Sequence, residues 1–371
     1  MTAHKKKILI ISLAAGSGHI QAAKALIRTA EADFPQLICR HIDIAEYITP
    51  LLKRTTIHGY GFLVSHMPHV WSSLFRLSDN KTFIKAYRAL TDYLKMLNSF
   101  EFLHEVEAFA PDHIICTHFL PAEILTHAMK KQKKNIPITL VLTDYGIHPI
   151  MIVKGLDGYV VPTKLMGQEL INDYSIPASR VHEFGIPIDP RFYEHRSPEE
   201  IRLRYSLSPQ LPVILILSGG EGLIKISKTI KALFSQLHHP VAIFAIAGKN
   251  KKLFKLISKL TPPSHITYQP LGWTDDIPNL MSIANVVVSK PGGLTTTECV
   301  VSGVPLVAIN PIPGQEEFNI NYLTENNFGA YAKNLNQVVQ LVQKYLSPTI
   351  QKNRPVGRSS AQEIINYIAT P

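Results

Sequence analysis

The sequence predicts an α/β protein made of two Rossmann-like domains, each a parallel sheet covered by helices. Three observations predict it. Short β-branched runs alternate with helical patterns over most of the 371 residues. That grammar starts twice, each time with an apolar strand entering a glycine-rich turn. Between the two starts lies a proline-rich stretch, Gly185-Ile186-Pro187-Ile188-Asp189-Pro190, followed by the charged segment His195–Tyr205. The length alone exceeds one comfortable core and fits two domains of ordinary size.

Lys7–Leu13 reads as the first strand. Its basic start and short apolar run do not make a signal peptide, because the run stops at Ser12 and passes into Ala14-Ala15-Gly16-Ser17-Gly18-His19. An Ala-rich helix, Ile20 to Ala32, follows. Thr49 to Glu107 departs from the grammar: Leu51, Tyr60, Phe62, Trp71 and Phe75 sit among Lys53, Arg54, Arg76, Lys81 and Arg88. This is the pattern of basic helices inserted at about 49–107. His113–Thr117, Ile138–Thr143 and Gly158–Pro162 read as further buried strands, which completes a first domain over 1–190. In the second domain, 191–345, Pro212–Leu217 enters Ser218-Gly219-Gly220-Glu221-Gly222 and Val241–Ala247 ends at Gly248-Lys249. Asn285–Ser289 ends at Lys290-Pro291-Gly292-Gly293, and Val304–Ile309 closes at Asn310-Pro311. A final segment, 346–371, carries a helix from Ala361 to Ala369.

The 38 Lys and Arg outnumber the 28 Asp and Glu, and the net charge of +10 points to an anionic partner. Lipid headgroups and phosphorylated substrates fit. Nucleic acid does not, since there is no RNP-like aromatic stretch and no zinc-finger spacing. The three cysteines, Cys39, Cys116 and Cys299, form no CxxC pair, so neither a zinc site nor a disulfide framework is indicated, and a reducing compartment is expected. No run approaches the ~18 apolar residues of a membrane span, which predicts a soluble or peripheral protein.

Three turns carry candidate chemistry. Gly16-Ser17-Gly18-His19 joins a strand to a helix, where glycines admit a ligand to the backbone and helix amides face an anion. Ser289 to Glu298 is more informative. A buried strand meets Gly292-Gly293, then Leu294, Thr295 and their hydroxyl-bearing neighbours open a helix able to hold a diphosphate. Glu298 is then placed for a ribose diol, and Thr295 to Glu298 also matches a capping box. In Pro313-Gly314-Gln315-Glu316, an amide beside a carboxylate at a helix start suits the vicinal hydroxyls of a sugar.

Taken together, the set resembles the family of monogalactosyldiacylglycerol synthases and processive diacylglycerol glucosyltransferases, relatives of the lipid-linked N-acetylglucosaminyltransferase of peptidoglycan synthesis. The matching stretches are Gly16–His19, Leu142-Thr143-Asp144-Tyr145-Gly146-Ile147-His148-Pro149, Phe184–Ile188, Ser218–Gly222, Ser289–Glu298 and Pro313–Glu316 with Asn319. Two positions depart from it: Cys299 stands where alanine is usual, and Pro149–Ile152 replaces a tryptophan-bearing stretch.

The resemblance implies a GT-B fold, two Rossmann-like domains facing a central cleft, with the last helix crossing back to the first domain. It implies inverting transfer of a hexose from a UDP-sugar to diacylglycerol or a glycosyl-diacylglycerol, with no metal and no cofactor beyond the UDP-sugar co-substrate. The enzyme would sit peripherally on the cytoplasmic face of the membrane, its basic insertion drawn to anionic lipid. UDP-sugar contacts are expected from Gly18, Gly219, Gly220, Glu221, Lys290, Gly292, Gly293, Leu294, Thr295, Glu298, Gln315 and Glu316. Gly16 and His148 would shape the acceptor wall. The base is either His19 or Asp144, with His19 favoured because a neutral imidazole is common at physiological pH. The alternatives are a UDP-N-acetylglucosamine transferase acting on a polyprenyl-linked acceptor and a UDP-sugar epimerase. Glucose and galactose differ at one hydroxyl, so these residues set neither the sugar, nor processivity, nor oligomeric state.

Overall fold

A computed structural model describes residues 5–14, 16–47, 67, 73, 100–133, 135–194, 196–222, 224, 226–347 and 359–370. The basic insertion expected at about 49–107 lies almost wholly outside the described residues. The chain divides into two compact units. One comprises Met1–Pro190, Pro313–Gln315 and Arg358–Pro371, the other Arg191–Ile312 and Glu316–Gly357.

The first unit holds a six-stranded parallel sheet in the order β2-β1-β3-β4-β5-β6. Its strands are β1 (Lys7–Ser12), β2 (Ile38–Asp43), β3 (His113–Cys116), β4 (Ile138–Val141), β5 (Gly158–Val160) and β6 (Val181–His182). Helix α1 (Ser17–Asp33) connects β1 to β2, α2 (Phe100–Phe109) precedes β3, α3 (Phe119–Gln132) connects β3 to β4, and α4 (Lys164–Asn172) follows β5. β1 is covered on both faces, as central parallel strands are. Leu9 and Ile11 pack with Phe102, Ile114 and Leu125, whereas Ile8 and Ile10 pack with Ala23 and Leu26.

Strand β2 went unread in the sequence. It is an edge strand whose Cys39-Arg40-His41 reads as polar, and only Ile42 is buried. The C-terminal helix α12 (Ser360–Ala369) belongs to this unit and packs on α1. Its Ala361, Ile364, Ile365 and Ile368 recur at i, i+3, i+4 and i+7, and this stripe enters the core beside Ile8, Ile10 and Val160.

The second unit repeats the architecture with the order β12-β11-β10-β7-β8-β9, all parallel. Its elements in chain order are α5 (Pro198–Arg204), β7 (Val213–Leu217), α6 (Ser227–Gln236), β8 (Val241–Ile246), α7 (Lys251–Ile257), β9 (Ile266–Leu271) and α8 (Ile277–Ile283). Then come β10 (Val286–Ser289), α9 (Gly293–Ser302), β11 (Leu306–Ala308), α10 (Glu317–Glu325), β12 (Gly329–Tyr331) and α11 (Leu335–Leu346). β8 shows the two-faced burial most clearly. Ile243 and Ala245 face one core cluster, Ala242 and Phe244 the other.

Strand order fixes where ligands bind. β1 has β2 on one side and β3 on the other, and β7 has β8 on one side and β10 on the other. In an open α/β sheet the crevice forms beyond the carboxyl ends of strands at such a reversal. Gly16–His19 follows β1 and Ser218–Gly222 follows β7, the reversal strands, and Ser289–Glu298 follows β10 beside β7, whereas Asp144 and Pro313–Glu316 follow β4 and β11, one strand further out.

Candidate functional site

In the first unit the chain leaves β1, reaches Gly16 at φ 135°, and starts α1 at Ser17. That φ is open to glycine but strained for any side chain, and it turns His19 back over the sheet edge. The His19 Nδ1 lies 2.7 Å from the carbonyl oxygen of Thr117, just past β3, and 3.1 Å from Thr143 Oγ1, just past β4. A carbonyl can only accept, so Nδ1 carries the proton and Nε2 holds the lone pair. The Thr117 hydroxyl donates in turn to the His19 backbone carbonyl at 2.9 Å. Burial pushes the His19 pKa below the usual imidazole value, against the opposing pull of the Thr117 carbonyl. The ring is therefore neutral near pH 7.

His118 packs against His19 in a T-shaped contact, with centroids 4.7 Å apart and planes at 85°. Neither Thr117 nor His118 was singled out from the sequence. The signal was available in the rule just used, since both directly follow β3 at the strand-order reversal. Asp144 lies half-buried in the bend after β4, next in sequence to Thr143. His148 is buried, and its Nδ1 accepts from the backbone N–H of Ile150 at 3.2 Å to cap the 3₁₀ turn Pro149–Met151. The departure at Pro149–Ile152 is thus a capped turn.

In the second unit, two loops leave the neighbouring strands β7 and β10. The first, Ser218–Gly222, is closed by Gly222 N–H on the Gly219 carbonyl at 2.9 Å and anchored by Ser218 Oγ on the Ile246 carbonyl at 2.8 Å. It rests on the turn after β8, where Lys249 N–H donates to the Gly220 carbonyl at 3.0 Å. Gly248 makes this possible. Its φ is +61°, and a Cβ there would lie 2.5 Å from the Gly220 carbonyl oxygen. Glu221 pairs with Lys249 at 2.8 Å, and Lys249 also sits 5.4 Å over the Trp273 ring.

The second loop opens α9 at Gly293, with Gly292 as N-cap and no side chain capping it. This corrects the capping-box reading. The helix begins three residues earlier than that reading needs, so Thr295 lies within the first turn and Glu298 in the second, half-buried. Leu294 is buried, Cys299 fully so. The helix thus presents uncapped first-turn amides and no acidic residue in that turn, the arrangement that favours a phosphate.

Glu316 is the N-cap residue of α10, yet its side chain does not cap that helix. Instead Oε1 pairs with Lys290 Nζ and Oε2 accepts the Ile312 backbone N–H at 2.8 Å. The pair lies against Gly292, where a Cβ would stand 3.6 Å from Glu316 Oε1. The structure therefore brings Lys290, Gly292 and Glu316 together, with Gln315 half-buried beside them in sequence. Among the described residues, no group of three or more His, Cys, Asp or Glu is placed to hold a metal ion.

Comparison with known proteins places this geometry. Residues 19–188 match the model of the monogalactosyldiacylglycerol (MGDG) synthase family, and residues 212–357 match glycosyl transferases group 1. The processive diacylglycerol beta-glucosyltransferase of Bacillus pumilus is 31% identical over 325 residues, covering 86% of this chain and 81% of that protein. Its namesake in Bacillus subtilis is 28% identical over 349 residues, covering 92% and 87%. Among solved structures, MurG of Acinetobacter baumannii superposes with a TM-score of 0.60 at 15% identity, covering 98% of each chain. The UDP-GlcNAc 2-epimerase of Methanocaldococcus jannaschii gives 0.56 at 14%, covering 98% and 100%. The two structural likenesses establish a GT-B-type two-domain α/β fold. The sequence matches make the chain a member of the glycosyltransferase family that holds the monogalactosyldiacylglycerol synthases and the processive diacylglycerol β-glucosyltransferases.

Proposed function

We propose that this chain moves a hexose from a UDP-sugar to diacylglycerol, or to a glycosyl-diacylglycerol, with inversion at the anomeric carbon and no bound metal. The observation that carries the reading is the His19 imidazole, its Nδ1–H fixed on the Thr117 carbonyl in the strand-order crevice of the first unit. In the transfer, the acceptor hydroxyl oxygen bonds to the anomeric carbon while His19 Nε2 takes the hydroxyl proton. The bond from that carbon to the diphosphate oxygen breaks, and UDP leaves with the electron pair. Its charge is met by the amides of Gly219-Gly220 and Gly292-Gly293, by the start of α9, and by Lys290, which Glu316 holds beside Gly292. Glu298 takes the ribose diol and Gln315 the sugar hydroxyls, while Glu316, occupied by Lys290 and the Ile312 N–H, acts by holding that lysine. Asp144, beside Thr143, orients the acceptor.

The lipid acceptor follows from the names of the relatives, and the basic insertion supplies the attraction to an anionic bilayer. No helix among the described residues is long and apolar enough to cross a membrane, which is compatible with attachment at its surface. Proton NMR of the glycolipid made from an α-linked UDP-hexose, with chelator present, tests the mechanism. A β-linked product at undiminished yield is expected. An α-linked product would overturn inversion, and loss of product with chelator would overturn metal independence.

A further inference from the structure

The residue after Thr117 has a role that the reaction above does not assign. His118 Nδ1 accepts the backbone N–H of Leu120 at 3.1 Å, capping α3. An accepting Nδ1 puts the proton of the neutral ring on Nε2. The ring lies on Phe119, with centroids 4.4 Å apart and planes at 28°, and meets His19 edge to face. One dipeptide at the end of β3 therefore holds His19 in three ways: the Thr117 carbonyl on Nδ1, the Thr117 hydroxyl on the His19 carbonyl, and the His118 ring against the imidazole. The covalent bond at Cγ and the Nδ1 contacts with the Thr117 carbonyl and Thr143 Oγ1 hold one edge of the imidazole. His118, held flat by its own cap and by Phe119, packs at right angles against the ring and restrains its remaining rocking.

We propose that His118 is a positioning residue for His19: its capped, stacked ring sets the plane of the His19 imidazole and so the direction in which Nε2 points. The inference rests on the reading of His19 as base. Burial and the nearby His19 both keep the His118 ring below the usual imidazole pKa, so the pair packs as two neutral rings.

Two substitutions separate the ring from the cap. His118→Asn keeps an acceptor for the Leu120 N–H and loses the ring. His118→Phe keeps a ring against Phe119 and His19 and loses the cap. Turnover is measured on vesicles containing diacylglycerol, and the His19 ring nitrogens are followed by 15N NMR of histidine-labelled protein.

The Asn variant is expected to lower kcat about 10- to 100-fold with KM unchanged, the cost of a misdirected catalytic group. It should also shift His19 away from its single Nδ1–H form. The Phe variant should recover kcat to within about threefold of wild type, at a lower melting temperature from the lost cap. Wild-type kcat and an unchanged His19 spectrum in the Asn variant would overturn the proposal. So would a folded Phe variant as impaired as the Asn variant. A His19→Ala protein that still turns over normally would instead remove the base reading, which tells the two failures apart.

Discussion

Replacing Lys290 with Met isolates the ion pair that ties the diphosphate loop to the start of α10. Glu316 is 3% exposed at its side chain and Lys290 25%, so the carboxylate is the member that water cannot reach. Without Lys290 it loses the cation on Oε1 while Oε2 still accepts the Ile312 N–H. Removing one partner of a buried pair costs about 3–5 kcal/mol, and a quarter-exposed lysine puts this case near 3 kcal/mol. For a unit of this size that is a fall of roughly 6–12 °C in the melting temperature. Glu316→Gln should cost only about 1 kcal/mol, because the amide oxygen still accepts from Ile312 and Lys290 can turn to solvent. The double variant then loses about 2.5 kcal/mol less than the sum of the singles, the coupling expected of groups in contact. Denaturant titration of the four proteins measures this. Additive losses, or a Lys290→Met cost below about 1 kcal/mol, would refute the claim that the pair is a buried anchor.

Four further outcomes are expected. With His19 as base and its pKa pushed below the usual imidazole value by burial, the acid-side fall in kcat should be centred below pH 6.5; a fall centred above pH 7 would contradict the neutral ring. His113 is held at a pKa of about 4, chiefly by burial and secondarily by Lys6, so the unfolded chain binds the extra proton between pH 6.5 and 4. Its contribution to stability is therefore full above pH 6.5, is lost as pH falls through that window, and levels off below 4, so urea melts of His113→Gln should show a shallower decline there than wild type. Gly248→Ala forces a side chain into the left-handed region, at about 1–2 kcal/mol, and onto the Gly220 carbonyl, so KM for the UDP-sugar should rise at least about tenfold in steady-state assays. Binding to anionic vesicles in flotation assays should weaken sharply between 50 and 500 mM salt, about the range over which screening shortens from beyond 10 Å to a few ångströms; salt-insensitive binding would remove the electrostatic reading of the insertion.

The fold was legible where burial forces a pattern. Apolar runs such as Val213–Leu217 and Val241–Ile246 are buried along their whole length, and glycines punctuate their ends. Strands that lack this signature were missed. β2 is mostly exposed, β9 contains Pro270 and is mostly half-buried, and β6 and β12 are very short. The glycine loops of the site could be read because a turn is a local event. The partners of His19 could not be read from spacing, because Thr117 and Thr143 lie 98 and 124 residues away and meet it only through the β1-β3-β4 order. Glu316 shows the converse. Its type and place at a helix start suit the hydroxyls of a sugar, but the sequence holds no sign that Lys290, 26 residues earlier, would take it.

Of all these experiments, a donor and acceptor panel addresses the central claim most directly. Purified protein is given UDP-glucose, UDP-galactose or UDP-N-acetylglucosamine, with and without diacylglycerol vesicles, in chelator. The account predicts UDP release from a UDP-hexose that depends on diacylglycerol and yields a new glycolipid, lost in His19→Ala. UDP-sugar turnover without acceptor, or no glycolipid from any donor, would contradict it.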